Sequence, residues 1–141
     1  MGRAVRRRQL MQVRALGVKD LRAYRELHRF GITEAPLGFI DTRETDDARP
    51  DAEVAAMLAR GEGWGVFAGA RLIGKLTIGA LPYPSLAHAF WIHSVYVRPE
   101  ARGGGASSLL MHAAIEDAKA KGARRVLLWV NAENNPSTPV L

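Results

Sequence analysis

The sequence predicts an α/β (α+β) fold, a mixed central sheet flanked by helices, and three stretches carry that prediction. In the first, apolar Val95, Tyr96 and Val97 run into Pro99, then Gly103, Gly104 and Gly105, then Leu110, Met111, Ala114, Ile115 and Ala118 at spacings of three and four. That is a strand, a glycine turn and an amphipathic helix. In the second, Ala87 to Val97 is apolar on both alternating faces, with Trp91, Val95 and Val97 on one and Phe90, Ile92 and Tyr96 on the other, as in a strand covered from both sides. In the third, Trp64 to Ala68 and Arg71 to Ile78 meet at Gly69-Ala70, the signature of a hairpin.

The remaining elements follow in chain order. Gln12 to Leu16 reads as a short first strand. Asp20 stands where an N-cap belongs, and Leu21, Tyr24, Leu27 and His28 share one helical face up to Gly31, where the helix is expected to stop. Thr33 to Pro50 has no clear period and reads as a loop holding the acids Asp41, Glu44, Asp46 and Asp47. Pro50 and Asp51 open a helix carrying Val54, Met57 and Leu58, which Gly61 to Gly65 breaks. Pro82 and Pro84 mark the turn before the central strand, Ala87 to Val97, which is expected to be the longest.

Composition narrows the function classes. At 141 residues the chain is one ordinary domain, divided into a basic tail over 1–11 and a folded unit over 12–141. The absence of Cys excludes disulfides, thiolate metal sites and a Cys acyl-enzyme, and it fits a reducing compartment, so a cytoplasmic protein is expected. No apolar run reaches the roughly 18 residues of a membrane span. The net charge of +6 is uneven: residues 1–30 carry +7, residues 31–53 carry −5 and the rest +4. The basic start could be a nucleic-acid footprint, but no aromatic residue interleaves with its arginines before Tyr24, which argues for a solvated tail instead.

The glycine turn holds the chemistry. Glycines let a ligand approach the backbone, and the first N–H groups of a helix lack internal partners, so a phosphate can bind without a charged side chain. A P-loop is excluded because no Lys lies between Arg98 and Lys119. A dinucleotide fingerprint has Ser108 at its third glycine position and would need several more βα units after the loop.

Arg102, Gly103, Gly104, Gly105, Ala106 and Ser107, with VYVRPEARG before them and leucines after, resemble the pyrophosphate loop of the GNAT superfamily of N-acetyltransferases. The resemblance continues through Lys121-Gly122-Ala123, the apolar run Val126 to Val130 and the Asn-containing turn Asn131 to Asn134. It implies acetyl-CoA as co-substrate and no metal. The pyrophosphate would lie on the amides of Arg102 to Ser107, the pantetheine arm beside Val95, Tyr96 and Val97, and Asn134 would belong to the cofactor site. A small-molecule or peptide amine would then attack the thioester directly in a ternary complex.

The amine must be neutral to attack, so a proton acceptor is needed. His93, two residues before Val95 on the central strand, occupies a position where many family members place Glu or His. The bland reading is a histidine satisfied by the backbone beside Trp91. His28, His88 and His112 have weaker cases, and no spacing suggests a metal. In the family the segment between the first helices shapes the acceptor site, so the acids of 41–47 would favour a cationic amine; simple solubility is the alternative.

Against the family pattern, Pro136 and Pro139 interrupt the expected last helix, the sequence stops at Leu141 about where the family's Tyr acid would fall, so no general acid is identified, and the final two strands have no counterpart. A shortened domain is therefore expected, with an exposed sheet edge at Val126 to Val130 through which the chain would form a homodimer. The competing function is a catalytically weak or inactive module that binds CoA and dimerises.

Overall fold

The computed structural model describes residues 11–81, 83–86 and 88–129. In chain order the elements are β1 (Met11–Ala15), α1 (Leu21–Glu34), α2 (Arg43–Asp47), α3 (Asp51–Ala59), β2 (Gly63–Ala68), β3 (Arg71–Ala80), β4 (Ala89–Val97), α4 (Ala106–Ala120) and β5 (Arg125–Leu128). The strands form one mixed sheet in the order β1-β2-β3-β4-β5. Neighbours are antiparallel from β1 to β4, whereas β5 runs parallel to β4, so α4 is the crossover that a parallel pair requires.

Each face of the sheet carries its own core. On one side Tyr24, Leu27 and Ile32 of α1 and Val54 and Leu58 of α3 pack with Leu16, Phe39, Phe67, Leu72 and Tyr96. On the other, Ala106, Leu110, Ala114 and Ala118 of α4 pack on Val66, Ile73, Leu76, Ile78, Ile92 and Val97. No helix among the described residues is long and apolar enough to cross a membrane.

Several sequence expectations need correction. Helix α1 passes through Gly31 to Glu34. A Cβ at Gly31 would lie 2.5 Å from the Phe39 ring and 3.1 Å from Tyr96, so this glycine serves close packing rather than a stop. Asp20 does stand at the N-cap position of α1, but its side chain makes no capping bond to that helix. It accepts from both Arg14 guanidinium nitrogens at 2.9 and 3.0 Å and from Gly17 N–H at 2.8 Å. The stretch read as a loop contains α2, whose N-cap Thr42 accepts from Thr45 N–H at 3.2 Å; at five residues α2 is too short to show a period. β3, with ten residues, is longer than β4 with nine.

The face assignment on β4 fails for a physical reason. Lys75 pairs with Tyr96 and Thr77 with His93, so Ser94 and Val95 both stand opposite Leu76, and Ser94 takes a φ of 57°. This bulge inserts one residue and reverses the alternation beyond it. Ile92 and Val97 therefore pack under α4, while Tyr96 packs under α1. Of the expected tail over 1–11, Met11 belongs to β1, and residues 1–10 lie outside the described residues, as do the strand position Ala87 and Val130, Asn134, Pro136 and Pro139.

Candidate functional site

Two clefts open along β4. The first, of about 310 Å³, is formed by the glycine turn and lined by Val97, Ala101, Arg102, Gly103, Gly105, Ala106, Ser107 and Ser108. Gly103 and Gly105 have φ of 84° and 91°, a backbone that only glycine adopts freely, and a Cβ at either would meet nothing within 4 Å. Gly104 sits between them, where a Cβ would lie 3.6 Å from Ala101 O. The first helical bond of α4 runs from Leu109 N to Gly105 O, and no side chain caps the helix. The N–H groups of Ala106, Ser107 and Ser108 thus have no intrahelical acceptor, which makes this end an anion cradle.

Arg102 does not point its charge at that cradle. Its Nε donates to Val97 O at 3.0 Å and its NH2 to Glu34 at 2.8 Å. The Tyr96 hydroxyl donates to the same Glu34 oxygen at 2.6 Å. These donors hold the Glu34 carboxyl below its usual range, while burial and then Glu34 push the Tyr96 phenol up. Val97 lines the turn cleft, Val95 packs against the α4 core, and Ala106 is buried beneath the helix.

The second cleft, of about 340 Å³, lies on the α1 side and is lined by residues that include Tyr24, His28, Asp41, Asp46, Thr77, Trp91, His93 and Ser94. His93 rests on Trp91, with ring centroids 4.4 Å apart, and its Nδ1 lies 3.2 Å from Ser94 Oγ. Burial, reinforced by the positive charge of Lys75, lowers His93 to about 4, so its imidazole is neutral at physiological pH.

Behind this wall stands a cluster that sequence reasoning missed. Lys75, on β3, is 0% exposed, and its Nζ lies 2.6 Å from His28 Nδ1. His28 Nε2 lies 2.8 Å from Asp41 Oδ2, and Arg49 donates to both oxygens of Asp41 at 2.9 Å. Asp46 is buried and accepts from Arg25. Of the four acids expected to favour a cationic amine, Asp41 and Asp46 line this cleft, and each also pairs with an arginine. His28, Asp41 and Asp46 bring their ligand atoms within 4.8 Å of one another, but with that charge matched we assign no metal to them. The one legible signal for the cluster was a lone Lys in the apolar strand Leu72 to Ile78, and its partners on α1 and before α2 are distant in sequence.

β4 pairs with β5 only from Ala89 to Ile92, and Trp129 N–H closes the ladder on Ile92 O. β5 ends at Leu128, opposite Ile92, so the side of β4 from His93 to Val97 pairs with no strand among the described residues. This length of β4 runs from one cleft to the other, His93 lining the first and Val97 the second.

The family model for the acetyltransferase (GNAT) family matches residues 23–141. A stretch of 43 residues is 49% identical to an uncharacterised N-acetyltransferase of Methanocaldococcus jannaschii, covering 30% of this chain and 19% of that protein. The chain thus spans about a fifth of the length of the curated relative it matches. A GCN5-related N-acetyltransferase from Ralstonia eutropha superposes with a TM-score of 0.68 at 22% identity, over 86% of this chain and 84% of that one. The PaiA N-acetyltransferase of Thermoplasma acidophilum, solved with coenzyme A, gives 0.70 at 21% identity, over 89% and 82%. An aminoglycoside acetyltransferase from an uncultured soil sample, solved with sisomicin, gives 0.71 at 14% identity, over 90% and 82%. Such identities establish a common fold, and the mixed sheet with helices on both faces is that fold.

Proposed function

The chain belongs to the acetyltransferase (GNAT) family, and on that premise we propose that it moves an acetyl group from acetyl-CoA to a primary amine by direct attack in a ternary complex. The observation that carries this reading is the placement of the two clefts on one stretch of β4, with His93 lining one and Val97 lining the other beside the glycine turn. The amides of Ala106, Ser107 and Ser108 receive the pyrophosphate, and β4 from His93 to Val97 offers its backbone to the pantetheine arm as to a neighbouring strand. The arm brings a thioester, whose thiol has a pKa of about 8.5 and leaves without a strong acid. The α1-side cleft holds the amine, and Trp91 and His93 form the part of its wall contributed by β4 ahead of the bulge. Incubating the protein with acetyl-CoA and a panel of amines, and measuring both acetyl-CoA affinity and CoA release, tests the reading. Tight binding with no release for any amine would favour a CoA-binding module instead.

His93 is the β4 group that first meets the amine. Being neutral at physiological pH, it can accept a proton. His93→Ala is expected to lower turnover by about 10² or more while acetyl-CoA affinity barely changes. An unaltered rate would leave His93 as a wall residue stacked on Trp91.

Self-association through β5 is part of the same proposal. Among the described residues β5 pairs only with β4, and Leu127 on it is 42% exposed. Such edges attract a second strand. Leu127, rather than the half-buried Leu128, is the position to charge. Light scattering over a concentration series is expected to show a dimer that Leu127→Lys weakens; a parent that stays monomeric would remove this part of the proposal.

A further inference from the structure

Lys75 is a fully buried amine with little to hold its charge. An ammonium has three N–H donors, and among the described residues its only hydrogen-bond partner is His28 Nδ1 at 2.6 Å. The rings of Tyr24 and Phe39, each centred 5.0 Å away, cover the rest of the group. The titratable and charged groups around it are Tyr24 and His28 from α1, Asp41 from the segment before α2, Asp46 from α2, and His93 and Tyr96 from β4. Asp41 and Asp46 favour its charge but are outweighed by burial, and Arg49 holds Asp41 while Arg25 holds Asp46. His28 reaches the cleft wall with its other nitrogen beside Asp41, so Lys75 connects to the cleft through one imidazole.

We infer that the Lys75–His28 pair is where the proton lost by the acceptor amine comes to rest, with His28 meeting it at the cleft and Lys75 as a positioning residue behind. The inference rests on the acetyl-transfer reading. With the cleft empty, His28 carries its hydrogen on Nε2 and donates to Asp41; an ammonium that enters donates to both Asp41 and Nε2 and so selects the other tautomer, with the hydrogen on Nδ1. Its N–H bond breaks, the electron pair stays on the amine nitrogen to attack the acyl carbon, and the proton passes, with His93 as its transient acceptor, to Nε2. His28 Nδ1 then gives its hydrogen to the lone pair of neutral Lys75, and the new Nε2–H donates to Asp41. One proton has moved and one charge has shifted from the amine to Lys75. Burial holds Lys75 near 7, whereas His93 near 4 keeps a proton too weakly to be its final holder.

The test combines two readouts on the parent, Lys75→Met and His28→Gln. With ¹³C-labelled lysine, one resonance is expected to titrate near 7 in the parent and to be missing in Lys75→Met. For an amine that the parent acetylates, turnover is expected to rise with pH through the same value. Both variants should lower turnover at least about tenfold and displace that limb, with acetyl-CoA affinity unchanged. Lysines that all titrate near the ordinary value of about 10.4, or a Lys75→Met profile equal to the parent's, would overturn the inference alone. A parent that releases no CoA with any amine overturns the acetyl-transfer reading, and the proton route with it.

Discussion

Lys75→Met is expected to make the protein more stable at neutral pH, by about 3 kcal/mol. An ordinary lysine titrates near 10.4, whereas burial brings Lys75 down to about 7. Between these values the unfolded chain holds a proton that the folded chain lacks, so the stability of the parent rises with pH from about 7 to 10. At pH 7 the lowered pKa corresponds to roughly 4 kcal/mol of destabilisation, at about 1.4 kcal/mol per pH unit. Methionine fills similar volume without a charge, and it leaves His28 Nδ1 without a donor, which costs about 1 kcal/mol. The net gain corresponds to a melting temperature higher by roughly 10 °C in a domain of this size. Urea titrations at neutral and alkaline pH check the sign: the advantage of the variant should shrink as pH approaches the ordinary lysine value. A variant less stable than the parent at pH 7, with no pH dependence in the difference, would show that Lys75 is held as a comfortable cation. A charged group kept where an apolar one would be more stable is the pattern of a residue retained for chemistry.

Gly105→Val is expected to weaken acetyl-CoA binding at least about tenfold, with a loss of about 1 to 2 kcal/mol in stability. At φ 91° the backbone of Gly105 disfavours any side chain, and a β-branched one most. The space beyond it is empty of protein atoms, so the new methyls would stand in the anion cradle. Relief of the strain would turn the amides of Ala106 and Ser107 away from it. Arg102→Gln removes an ion pair whose partners are 48% and 33% exposed, worth about 0 to 1 kcal/mol, and should change affinity less than about threefold. Calorimetry on both variants ranks them. A larger effect at Arg102 than at Gly105 would mean that side-chain charge, not amide geometry, binds the phosphates.

What the sequence determined by itself is the frame. Local signals, such as Pro99 ending a strand, glycines opening a turn and apolar residues at spacings of three and four, act within a few residues of chain. They announced β1, α3, the β2–β3 hairpin and the unit of β4, glycine turn and α4 close to where these elements lie. The cradle was legible for the same reason, since backbone conformation there depends on the glycines themselves. The α1-side cleft was not. Gly31 looks like a helix stop until Phe39, on another segment, is seen to need its surface. The reversal of faces on β4 depends on a bulge opposite Leu76, which pairing with β3 creates and which no alternation in the strand reveals. Lys75 and His28 stand 47 residues apart, and Asp41 is 13 from His28, so only the packing of α1 onto β3 makes them one group. The proton affinities of Lys75 and His28 belong to that packing too, because burial is the largest influence on both, and burial is a property of the tertiary structure alone.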